Sequence, residues 1–259
     1  MYPYLHEIFA DKKGAAVFSC FGIWHFLYMA VIFGSILLAV LLLRNKDEKV
    51  RENAIKCALY SAFGLYIADF FFMPLAYGYI DIEKLPFHMC TLMCLLSFLS
   101  VRGVLFEKYR KQFALLGLVS NLIYVIYPAG VGWYQIHPLS YRVVQTLLFH
   151  GAMTAYGILT LAMGDDKLTF KSSLQELPVI VVVTLWAILG NTLYNGAAGE
   201  YDHFFNWFFV VRDPFYILPA DVAPYMMPFV MILVIYGADL LVYSAYFVMK
   251  NMKNTAVRK

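Results

Sequence analysis

Long, nearly unbroken apolar runs alternate with short polar connections along the chain. Seven runs, at about 18–43, 56–79, 86–105, 113–134, 142–163, 177–197 and 224–249, reach the length a helix needs to cross a bilayer. Strands do not satisfy their own backbone in lipid unless they close into a barrel, so each run predicts a transmembrane helix. The expected fold is all-α: one polytopic helical domain over 1–259 with seven spans.

Composition agrees. Apolar residues make up 62% and charged residues 14% of the 259 residues, and mean hydropathy is +0.67. A soluble domain lies nearer 45–50% apolar and about 25% charged. The net charge of +3 is spread over short loops and gives no nucleic-acid footprint. Residues 1–14 carry Glu7, Asp11, Lys12 and Lys13 without a cleavable apolar core, so no secretory signal is expected before the first span.

The basic residues set an orientation. Arg44, Lys46, Lys49, Arg51 and Lys56, then Arg102, Lys108, Arg110 and Lys111, then Lys167 and Lys171, and finally Lys250, Lys253, Arg258 and Lys259 all fall on one side. That is 15 of the 20 Lys and Arg residues. The positive-inside rule then puts the N-terminus outside and the C-terminus in the cytoplasm of a bacterial cytoplasmic membrane.

One connection is not a short polar loop. Between Tyr201 and Tyr216 eight aromatics are interleaved with Asp202, His203, Asn206, Arg212 and Asp213. Segment 198–223 is too charged to span and is expected to lie in the outer headgroup zone as an interfacial lid. GDDK at 164–167 is expected to be a helix stop and turn. There is no internal repeat.

The polar residues inside the spans matter most, since each must offset its cost in lipid. His25, His88, Cys90, Cys94, His150, Asn191, Asn195 and Asp69 collect toward the outer side from five different spans. Asn121 and Asp239 lie nearer mid-depth or inward and do not join that layer; Asp239 is expected to pair near the cytoplasmic side or to serve as a structural hydrogen bonder. Cys90 and Cys94 are one turn apart and share a face, as do Thr146, His150 and Thr154, while Gln145 approaches from the flank. Asn191 and Asn195 share a face flanked by Gly190 and Gly196.

Three chemistries fit such a layer. Acyl transfer or lipid-ester hydrolysis needs a nucleophile, a base and oxyanion donors. Here His150 is the base, Cys90, Cys94 or Thr91 the nucleophile, and Asn191 and Asn195 the amide donors. Metal or haem binding by His25, His88 and His150 lacks supporting ligand spacing. Transport or solute binding is the alternative that polar residues in a bundle also suggest.

Three short motifs carry a resemblance: LPFHMC at 85–90, FHG at 149–151 and GNTLYN at 190–195. Over roughly 55–250 the chain resembles the bacterial YwaF-type integral membrane proteins. These are similar to a eukaryotic transmembrane acyltransferase of ether phospholipids and, more distantly, to androgen-induced membrane hydrolases of fatty-acid esters. The resemblance implies a lipid acyltransferase or esterase of six or seven spans, in which His150 and His88 match the family histidines. The chain departs from the pattern at the nucleophile: the expected cysteine would stand N-terminal to His88, where Phe87 is found, and Cys90 follows instead.

The resulting expectation is a membrane enzyme acting on lipid acyl chains from an outward-facing polar pocket. Its catalytic residues are His150, Cys90 and His88. Asn191, Asn195, Thr146, Gln145, His25, Asp69 and Cys94 line the substrate site. Neither metal nor cofactor is expected, membrane lipids are the partners, and the oligomeric state is left open. A non-enzymatic transporter or binding protein for a small polar or lipidic ligand is the alternative.

Overall fold

A computed structural model describes residues 7, 9–164, 168–195 and 205–257. The GDDK turn and the first part of the aromatic segment, up to residue 204, lie mostly outside the described residues. The described residues hold seven principal helices and no strand: α1 Ile23–Leu43, α2 Glu48–Tyr77, α3 Met89–Val101, α4 Arg110–Ile126, α5 Tyr141–Met163, α6 Glu176–Asn195 and α7 Ala223–Val257. Six are long and apolar enough to cross a membrane. The exception, α3, has 13 residues, roughly 20 Å at 1.5 Å per residue, and the bilayer core needs about 30 Å.

Helix ends depart from the apolar runs for local reasons. The polar residues 48–55, expected in a loop, instead extend α2. Asp47 caps it by accepting from Val50 N–H at 2.9 Å, and Lys56 pairs with Glu52 one turn away at 2.9 Å. Helix α3 begins at Met89, not Pro86, and the carbonyl of His88 receives its first hydrogen bond, from Leu92 N–H. At its other end Gly103 takes a φ of +67°, which only glycine adopts without strain, and Val104 N–H turns back to Leu99 O. Helix α4 ends at Ile126, eight residues before the expected 134, because Pro128 cannot continue it.

The chain divides into two compact units. The first comprises Met1–Lys84 and Met93–Asp165, the second Leu85–Leu92 and Asp166–Lys259. In the first unit α5 is the central helix, packed against α2, α4 and α1. Its span is 61% buried, whereas that of α1 is 11% buried and leaves most of its surface to lipid. Gly157 lets α4 close on α5: a Cβ there would stand 2.4 Å from the Leu118 Cβ. In the second unit α6 and α7 pack on each other, and the turn Trp207–Phe209 packs on both.

Candidate functional site

Polar side chains in the first unit form a column along α5. Its top is an ionic cap. Arg142 lies 3.5 Å from both Asp11 and Asp81, with its guanidinium 4.6 Å from the Tyr134 ring centre. Beside it Asp69 is 2% exposed, takes the Tyr141 hydroxyl at 2.8 Å and pairs with Lys84 at 3.1 Å. One turn deeper, Gln145 donates to Leu65 O at 3.0 Å and its own amide oxygen accepts from Thr146 at 3.3 Å. Next comes His150, and below it Thr154, whose hydroxyl donates to the His150 carbonyl at 2.8 Å. Asp69 and Gln145, both expected to line the substrate site, thus tie α5 to α2, and Thr146, expected there too, bonds Gln145 on its own helix.

His150 is held on two sides. Asn121 Oδ1 lies 2.6 Å from its Nδ1, and the Tyr124 ring stacks on it at 3.8 Å with 16° between planes. The asparagine decides the tautomer. Its Nδ2 donates to Gly117 O at 2.7 Å, a carbonyl that can only accept, so Oδ1 must be the atom facing the imidazole. A carboxamide oxygen accepts only, so Nδ1 carries the proton and Nε2 is the basic nitrogen of the neutral ring. Asn121 is fully buried and His150 nearly so. The arrangement is that of a base with an orienting partner.

His25 is spent differently. Phe21 N–H donates to its Nδ1 at 3.0 Å, so Nε2 is the protonated nitrogen and donates to Val125 O at 2.9 Å. The ring staples the start of α1 to the end of α4. Both nitrogens are used on backbone, and none is left as a base. His25 and His150 share the first unit but face different neighbours.

The second unit gathers LPFHMC and GNTLYN around the aromatic segment. Pro86 O accepts from the Trp186 indole at 2.8 Å. The Phe87 ring lies 5.1 Å from Trp186 and 5.0 Å from Trp207, and it covers Gly190 so closely that a Cβ there would come within 2.4 Å of the ring. His88 Nδ1 accepts from Phe208 N–H at 3.2 Å. Asn191 takes Trp207 N–H at 3.0 Å and donates to Trp207 O at 3.0 Å and Ala187 O at 2.8 Å. Asn195 clamps Phe205 in the same way, accepting from its N–H at 2.8 Å and donating to its carbonyl at 2.7 Å. The Asn191 amide has no proton left for an oxyanion. Both asparagines act on the loop backbone, where Phe208 and Phe209 sit at φ near +57° and +53°, a costly region for aromatic residues.

The aromatic segment is therefore built in two parts. Phe205, Trp207, Phe208 and Val210 are buried in the second unit. Asn206 closes the next turn by accepting from Val211 and Arg212 N–H. Asp213 takes the backbone N–H groups of Phe215, Leu218 and Ile217, which hold its carboxyl below the usual range. Beyond it the apolar side chains turn outward, with Phe215, Tyr216 and Ile217 largely exposed.

On α3, Cys90 is half-buried and Cys94 fully buried, one turn apart as the spacing requires, and Thr91 donates to His88 O at 3.0 Å. His88 precedes the helix instead of lying two residues inside it. Sequence reasoning missed Asn121 and Tyr124, the two side chains that fix His150, and did not assign Trp207 to Asn191. A search for an amide on the facing helix would have found Asn121. Among the described residues no three His, Cys, Asp or Glu side chains gather to hold a metal.

Compared with known protein families, the chain matches the TMEM164 family over residues 20–249. No curated protein and no solved structure matches the chain.

Proposed function

The chain belongs to the TMEM164 family of membrane proteins, and on that premise we propose that it is a membrane-embedded acyltransferase or esterase acting on lipid acyl chains, with His150 as general base. The observation that carries this reading is the buried His150–Asn121 pair, an imidazole whose orienting hydrogen bond leaves Nε2 as the basic nitrogen. The nucleophile is assigned to a thiol of α3: Cys94 shares the first unit with His150, and Cys90 is the more accessible of the two.

In this mechanism Nε2 takes the thiol proton as sulfur attacks the ester carbonyl. The tetrahedral adduct collapses to a thioester, and the departing lysolipid oxygen receives that proton from the imidazolium. An incoming lysolipid hydroxyl, or water, then passes its proton to His150 and takes the acyl group, which restores the thiol. His25, Asn191 and Asn195 position helices and loop and do not touch the reacting atoms. The basic loops support placing the C-terminus in the cytoplasm and the N-terminus outside a bacterial cytoplasmic membrane.

A thiol-reactive lipid-ester probe tests the assignment in membranes. Labelling is expected for the wild type, and is expected to be lost in His150→Ala and in one of Cys90→Ala and Cys94→Ala. Normal labelling of His150→Ala and of both cysteine variants removes the acyl-enzyme and favours a non-enzymatic lipid or solute carrier.

A further inference from the structure

The second unit buries two carboxyl groups on packed helices. Glu176 opens α6 and Asp239 lies in the middle of α7; both side chains are fully buried, and the two helices pack on each other. The Tyr243 hydroxyl, one turn along from Asp239, donates to Glu176 Oε1 at 2.6 Å. Tyr243 in turn lies 3.2 Å from the Ser172 hydroxyl, which is half-exposed on the short turn Phe170–Ser173 and its capping box. No N–H or O–H donor among the described residues reaches either oxygen of Asp239 or Oε2 of Glu176.

Charge decides what such a site holds. Among the described residues no Lys, Arg or His forms an ion pair with either carboxylate. Helix α7 is packed by α6, by the turn Phe170–Ser173 and by Trp207–Phe209. These elements bring Glu176, Asp239 and Tyr243 to the pair; Lys171 of the turn Phe170–Ser173 is exposed and forms no ion pair with either carboxylate, and Trp207–Phe209 carries no titratable group. Two adjacent carboxylates without a counter-ion in a lipid-surrounded interior repel each other and lose their hydration, a cost that a proton between them removes. A shared proton also supplies the donor that three of the four oxygens lack.

We propose that Glu176 and Asp239 form an intramembrane proton-binding site, reached from the half-exposed Ser172 through the Tyr243 hydroxyl. Binding a proton turns two repelling carboxylates into one hydrogen-bonded pair that ties α6 to α7. Releasing it weakens that tie, so the packing of this helix pair depends on proton supply at the end where α6 begins. The site uses none of the residues assigned to acyl transfer, and its failure leaves that reading intact.

Infrared difference spectroscopy of the full-length protein in lipid vesicles tests the site. The wild type is expected to show a protonated-carboxyl C=O band at pH 7 that shifts on transfer to D2O. Glu176→Gln and Asp239→Asn, both near-isosteric, are each expected to remove or displace it. Tyr243→Phe is expected to keep the band but slow its exchange severalfold. A spectrum with no protonated carboxyl at pH 7, whether or not sodium, magnesium or calcium perturbs the carboxylate bands, overturns the proposal. So does a band that survives both carboxyl substitutions. Exchange as fast in Tyr243→Phe as in the wild type overturns the route through Tyr243.

Discussion

Removing the His150 imidazole is expected to lower lipid-ester turnover by about 10²- to 10⁴-fold, the usual share of a positioned general base. His150→Ala tests this directly in reconstituted vesicles. Asn121→Leu is the more informative partner. The substitution keeps the side-chain volume and the Tyr124 stack but deletes the oxygen that holds the Nδ1 proton. The ring is then free to turn or to carry its proton on Nε2, where it does not act as a base. The expected result is a fall in kcat approaching that of His150→Ala with KM little changed, because Asn121 acts on the base and not on the lipid. Unchanged kcat in Asn121→Leu, with the protein folded, removes the orienting role. A rise in KM alone would mean that the pair binds substrate and takes no part in the proton transfer.

The largest expected loss of stability is at Trp207. Its indole is 1% exposed and lies parallel to the Phe205 ring at 4.6 Å, with Phe87 and Tyr194 against it. Truncating so large a buried aromatic to alanine costs about 3–5 kcal/mol, a large share of a stability of roughly 5–15 kcal/mol. Trp207→Ala should lower the thermal unfolding midpoint in micelles and open segment 205–222 to protease. Asn191→Ala should do the same more weakly, because it leaves the Trp207 N–H and C=O without their partners, at about 1–3 kcal/mol for a buried group. Protease resistance at wild-type level in Trp207→Ala would show that the segment is not held by this ring.

How much of this was legible in the sequence depends on whether lipid or local chemistry set each feature. The helices follow from the apolar runs, because the bilayer demands length and hydropathy from each span. Their ends do not. Residues 48–55 are too polar for lipid yet continue α2, since an Asp47 cap and a Glu52–Lys56 pair favour helix in any solvent. Pro86 reads as a helix start, but the backbone of Pro86 and the rings of Phe87 and His88 are taken by α6 and the aromatic segment, so α3 waits until Met89.

The site shows the same division. His150 was found from its type and depth. Asn121 was set apart because the apolar run placed the end of its helix at 134; with α4 ending at Ile126, the same residue stands five positions from the end. His25 was expected beside a substrate, yet a turn at Phe21 with positive φ delivers an N–H to its ring, and no spacing rule reveals such a turn. Asn191 and Asn195 were correctly paired on one face, but the group they recognise is the chain's own backbone, sixteen and ten residues further along. Glu176 fell one residue before the expected start of its span and so was not counted as intramembrane. Only the packing of α6 on α7, with Tyr243 one turn from Asp239 reaching Glu176, brings it to Asp239.

A base role for His150 requires the proton on Nδ1 and the lone pair on Nε2. Nitrogen-15 NMR of histidine-labelled protein in lipid vesicles at neutral pH, with His150→Gln to assign the signal, reads this directly. A protonated Nδ1 and an unprotonated Nε2, reversed or averaged in Asn121→Leu, is the expected result. A protonated Nε2 in the wild type would contradict it, because the imidazole would then have no lone pair to offer the thiol.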